Sequence, residues 1–164
     1  DQRASGDDQR VSGNYQRASG DDQRASGDDQ RAAPLNQMTK NGSMLPKIDY
    51  DLSSVVLAGH TVFLQGQTGR FLDKERFVGK GDPGRQAENA MLCVRVLLEE
   101  VGSSLKDICK ITTYVTDSSY RPLVYPVIAR HLGNVYPCST GIVVKALAEP
   151  WIDFEIDVYA VISI

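Results

Sequence analysis

Residues 136–164 read YPCSTGIVVKALAEPWIDFEIDVYAVISI, and their pattern decides the fold. They divide into two β-strands at a short Glu149-Pro150 break. The first, Ser139 to Leu147, is rich in β-branched residues, which suit a pleated surface. The second, Trp151 to Ile164, alternates. Ile152, Phe154, Ile156, Val158 and Ala160 share one side, while Trp151, Asp153, Glu155, Asp157 and Tyr159 share the other. One side is built for a core. The other places three carboxylates at every second position. A sheet with one apolar and one acidic face is not finished by one chain alone, so self-association is expected.

The elements before this stretch supply the rest of a layer. Ile108 to Val115 reads as a strand with Cys109, Ile111, Thr113 and Val115 on one face and Lys110, Thr112 and Tyr114 on the other. Asp117 to Leu132 reads as a helix in which Pro122 fits the first turn; Pro126 does not, which predicts a kink or a late start. Asp82 and Pro83 are an N-cap and first-position pair, and Gly102 suits the position after the helix end. Between them Ala87, Ala90, Met91, Val94, Leu97, Leu98 and Val101 fall at helical spacing. Thr61 to Gln65 is a strand ending at Gly66. Gly66 and Gly69 bracket Gln67-Thr68, where the backbone can approach a neighbour closely. Leu45 to Ala58 is a lead-in and a short strand. The order β-β-α-β-α-β-β predicts an α+β domain over residues 44–164, two helices on one face of a mostly antiparallel sheet.

Residues 1–43 stand apart. From Asp1 to Leu35 the chain repeats with a period of seven, as in DQRASGD and DQRVSGN. Each of the first four copies holds one small apolar residue and a Ser-Gly pair, which rules out a coiled coil. The segment cannot bury enough apolar surface to offset its ordering entropy, so a disordered or expression-derived tail is expected.

Bulk properties narrow the function. A net charge of −3 gives no reason to expect nucleic-acid binding. Cys93, Cys109 and Cys138 are odd in number and lack metal-ligand spacing, as expected of reduced thiols in a cytoplasmic protein. No apolar run reaches the roughly 18 residues a membrane span needs, and the polar start shows no signal peptide. Asp153, Glu155 and Asp157 do not make a metal site, because neighbours on one strand face lie about 6.6 Å apart.

The closing stretch resembles the C-terminal signature of the RidA/YjgF reactive-intermediate deaminase family, whose older names speak of translation inhibition and endoribonuclease activity. That signature is a proline, a small residue, an arginine and a strand, then an aliphatic-Glu-aliphatic strand. Pro137 and Cys138 match, and so does Phe154-Glu155-Ile156 apart from its aromatic first residue. The arginine position is Ser139. The Leu-Gln-Gly-Gln strand end, the Asp-Pro helix start and DICKITTYVTD match at family spacing, so that the likeness covers roughly residues 46–163. It implies a chorismate-mutase-like fold, a homotrimer, no cofactor, and small-molecule sites in clefts between subunits.

The resemblance also implies roles. The arginine replaced by Ser139 holds a substrate carboxylate, and Glu155 positions a water that attacks an imine carbon. A guanidinium is a bidentate carboxylate clamp, and a glutamate can order or deprotonate water. Ser139 and Thr140 could offer hydroxyl and backbone donors instead. Gly66 matches a glycine whose backbone lines the pocket, and Tyr50 is a looser match to a family tyrosine. Cys138 adjoins the site, but neither His60 nor His131 has a recognisable partner to act as its base. Arg70 and Arg121 are stand-ins for the missing cation, a loop arginine delivered by a neighbouring subunit being favoured. Lysines such as Lys110 or Lys145 are expected to meet the acidic row. The expected function is hydrolytic deamination of an imine or enamine, such as an aminomuconate-like compound. The alternatives are a non-catalytic ligand-binding or regulatory trimer and, third, an RNA-cleaving role without a basic groove or histidine pair to support it.

Overall fold

A computed structural model describes residues 52–162. The heptad repeat and Tyr50 lie outside the described residues. In chain order the elements are β1 (Val55–Ala58), β2 (Thr61–Leu64), α1 (Pro83–Glu100), β3 (Ile108–Val115), α2 (Arg121–Leu132), β4 (Cys138–Val143) and β5 (Phe154–Val161). The expected α+β order is the observed one.

The ends of α1 are set locally. Asp82 Oδ1 accepts the Arg85 N–H at 3.0 Å, and Pro83 opens the helix. At the other end Gly102 turns to φ 75°, and the Gly102 and Ser103 N–H groups bond back to Glu99 and Leu98 at 3.1 and 2.9 Å. For α2, Asp117 caps a 3-10 turn, Ser118–Tyr120, that leads into the helix at Arg121. Pro122 falls in the first turn and Pro126 inside, so the helix does not start late.

The sheet order is β1-β2-β5-β3-β4, with β3 and β4 parallel and the other neighbours antiparallel. The last strand in sequence thus lies at the centre. Phe154, Ile156, Val158 and Ala160 are buried against Ala90, Met91, Val94 and Leu97 of α1 and Val124 and Ile128 of α2. Full burial of a Val, Ile or Phe side chain stabilises by about 1.5–3 kcal/mol.

Three features differ from the sequence reading. The closing strands are shorter than expected, and β3 lies between them. Residues 144–153 cross over, with Ile152 N–H closing a turn on Glu149 at 3.0 Å. Asp153 therefore precedes β5 and leaves the acidic row. Its carboxylate accepts Thr116 Oγ1 at 3.0 Å and Gln86 Nε2 at 3.3 Å. Finally, β3 is irregular at Cys109, so that Ile108 pairs with Ala160 and Lys110 with Tyr159. The extra residue turns Ile108 into the core and leaves Cys109 exposed, where simple alternation puts the thiol inside.

Gln86 fastens the crossover to α1. It is fully buried, and its Oε1 accepts the Asp153 and Phe154 N–H groups at 2.9 and 3.2 Å. Its Nε2 donates to the Gly79 and Trp151 carbonyls at 2.8 and 3.0 Å. No helix among the described residues is long and apolar enough to cross a membrane.

Candidate functional site

The helix-free face of the sheet carries the retained acid. Register pairs Glu155 with Tyr114, and Tyr114 with Ile142; one step along, Asp157 lies beside Thr112, and Thr112 beside Thr140. Cys138 follows in the next row, with Lys110 and Tyr159. Glu155, Asp157, Tyr114, Thr140 and Cys138 thus share one face. Thr140 stands two strand spacings from Asp157, roughly 10 Å.

Gly66 closes one side. Gln67 exchanges both backbone hydrogen bonds with Ile156, each 2.9 Å, which lays the chain after β2 along β5. The Gly66 Cα then lies under two carboxylates. A β-carbon there would overlap Glu155 Oε1, fall 2.8 Å from Glu155 Cδ, and stand 3.1 Å from Asp157 Oδ1. Only glycine permits that approach.

The two carboxylates differ in surroundings. Tyr114 donates its hydroxyl proton to Asp157 Oδ2 at 2.9 Å. Glu155 is half-buried and accepts no hydrogen bond or ion pair from a described residue. Burial, and then the charge of Asp157, push its carboxyl above the usual range. The expected lysine partners are not made by described residues for Glu155 or Asp157. Among the described residues no group of three or more His, Cys, Asp or Glu side chains could hold a metal ion.

Ser139 lies elsewhere. It pairs with Ile111, whose side chain is buried under the helices, so Ser139 and Gly141 face the helix side. Within one chain the structure does not bring Ser139 to Glu155; the sheet separates them. Gly141 is the unexpected partner of Ser139. A β-carbon on it would overlap the Tyr125 hydroxyl and stand 3.4 Å from both Arg121 Nη2 and Thr113 Oγ1. A glycine inside a strand signals close approach, which is the cue the sequence offered.

Arg70 is not a free cation. Its guanidinium pairs with Glu149, donates to the Lys74 carbonyl at 3.1 Å and lies 5.8 Å from the Phe77 ring centre. Its bonds hold the loop after β2 to the β4–β5 crossover. His131 does have a partner, Glu88 of α1 at 2.9 Å, which ties the two helices on the side away from Cys138. Cys138 is exposed and has no histidine beside it.

Known proteins show the same architecture. RidA from an Antarctic Psychrobacter is 26% identical, with a TM-score of 0.65 over 72% of this chain and 94% of that one. A YjgF/YER057c/UK114 family member from Mycobacterium tuberculosis is 29% identical, with a TM-score of 0.61 over 68% of this chain and 86% of that one. A RutC family protein of Pyrococcus abyssi is 28% identical over 103 residues, 62% of this chain and 80% of its own length. Residues 45–162 match the family described as Endoribonuclease L-PSP, and with the fold and these relatives that places the chain in the RidA/YjgF family.

Proposed function

We propose that the protein is a hydrolytic deaminase of a reactive imine or enamine, working at clefts between the subunits of a homotrimer. The observation that carries this reading is Glu155, a half-buried carboxylate with no donor among the described residues, packed over the bare Cα of Gly66. Such a group can take a proton from a bound water. The oxygen then adds to the C=N carbon, the nitrogen is protonated, and the carbinolamine collapses to a carbonyl compound and ammonia. An enamine must first tautomerise to the imine. Ser139 supports a specificity unlike that of arginine-bearing relatives, with an aminomuconate-like compound one candidate. The acidic open face speaks against RNA, whose phosphates it would repel.

The test is to generate 2-iminobutyrate with a dehydratase and follow 2-oxobutyrate. Release faster than the uncatalysed rate supports the reading; no acceleration, even with an aminomuconate-type substrate, favours a ligand-binding trimer instead. Gly66→Ala is expected to lower kcat/KM about tenfold or more, because the new methyl must push the Glu155 carboxylate aside, and a 1 Å misplacement can cost about a hundredfold. The displaced group is the flexible end of a side chain, so the urea midpoint is expected to change little. An unchanged kcat/KM would remove Gly66 from the site.

Assembly is a separate expectation. Phe63, Ile142 and Val161 are exposed on the helix-free face, together with the Glu155–Asp157 pair. Burying that face is the driving force for association. Light scattering is expected to give about 54 kDa, three chains of 18.0 kDa. A stable monomer would remove the interfacial site.

A further inference from the structure

Arg121 stands where α2 begins, on the side of the sheet that Ser139 faces. Its guanidinium lies 5.1 Å from the centre of the Tyr125 ring, one helical turn on. The Tyr125 hydroxyl is fixed in turn at 3.0 Å from Thr113 Oγ1. Gly141 lets this pair settle against the backbone of the edge strand, with Arg121 Nη2 only 3.4 Å from where a β-carbon would be. Arg70, Arg76 and Arg130 are each paired with a carboxylate, but no described carboxylate pairs with Arg121. Ser139 lies on the same face two residues from Gly141, roughly 6.6 Å along the strand.

We infer that Arg121 is the carboxylate-binding residue of this chain, holding the anionic end of a small ligand against β4 between Tyr125 and Ser139. A guanidinium stacked on a ring loses less freedom when it binds than a solvated one, and it presents two parallel donors that fit a carboxylate. The Ser139 hydroxyl is the neighbouring donor. The choice of a 2-oxo or 2-imino acid as ligand class rests on the deaminase reading; the binding of the carboxylate does not.

The test uses the full chain and 2-oxobutyrate, a stable carboxylate of the expected product class, titrated by calorimetry or by amide chemical shifts. 2-Butanone, which lacks the carboxylate, is the control. Saturable binding of 2-oxobutyrate and none of 2-butanone is expected. Arg121→Gln is expected to weaken binding at least tenfold, with an unchanged circular dichroism spectrum because the side chain is exposed. Adding Ser139→Arg to Arg121→Gln is expected to restore affinity, because it returns a guanidinium to the same face. That rescue would not follow if Arg121 merely supported the helix.

Equal affinity of Arg121→Gln and the parent chain, or no binding of 2-oxobutyrate by the parent, overturns the inference. The deaminase reading fails separately. If the parent binds through Arg121 but does not accelerate loss of 2-iminobutyrate, the carboxylate site stands and the chemistry falls. If turnover is present and Arg121→Gln leaves both it and binding unchanged, the chemistry stands and the carboxylate site falls.

Discussion

Glu155→Gln is expected to lower kcat/KM for imine hydrolysis by about a hundred- to ten-thousandfold, the usual loss when a general base is removed. The amide has nearly the same shape, so it still fits over Gly66 but cannot accept the proton. Binding of 2-oxobutyrate should survive, since Glu155 is not among the groups assigned to hold the carboxylate. Glu155 acts as a base only when ionised, and burial and Asp157 raise its carboxyl. Activity is therefore expected to rise with pH along an acid limb above the ordinary glutamate range. Stability runs the opposite way. A carboxyl raised by folding favours the folded state below its ordinary value, and that contribution is lost as pH rises through the raised one. At pH 8 the Gln variant, neutral throughout, should unfold no more readily than the parent. Full activity in Glu155→Gln would end the hydrolytic reading.

The largest effect on stability is expected at Gln86. Gln86→Leu keeps the volume and removes every bond the amide makes. The buried Phe154 N–H then loses its partner, as do the half-buried Asp153 N–H and the Trp151 carbonyl, while the Gly79 carbonyl keeps the Asp82 N–H. Each unmet buried group costs about 1–3 kcal/mol, and partial relaxation leaves an expected total of about 3–5 kcal/mol. The measurement is a urea titration at fixed protein concentration, because assembly would otherwise shift the midpoint. A loss under about 1 kcal/mol would mean that the crossover holds without its link to α1.

What the sequence disclosed follows the range of the interactions. The ends of α1 were legible because Asp82, Pro83 and Gly102 act within a few residues of themselves. The inward face of β5 was legible because Phe154, Ile156, Val158 and Ala160 alternate without a break. The orientation of β4 was not legible. All six of its residues are exposed, so CSTGIV has no apolar period, and its parallel pairing with β3 alone decides which way Ser139 points. The shift at Cys109 was hidden for a related reason, since one extra residue on β3 is defined only against β5. Asp153 looked like a third member of the acidic row until the strand was seen to begin one residue later. Glu155 and Gly66 were both named from the sequence; their contact, and the link from Gln86 to the crossover, needed three dimensions.

The position of β5 bears on how the chain matures. It is made after every other described element, yet it occupies the middle of the sheet, between β2 and β3. While the ribosome is still adding residues, the first hairpin and the β3 strand have no common neighbour, and the oily side of α1 lacks the strand it chiefly packs on. Such a nascent chain cannot fold piece by piece from its front end. It must wait, with apolar surface showing, for its final strand to thread the gap, and that interval is when it is most open to aggregation and to chaperones.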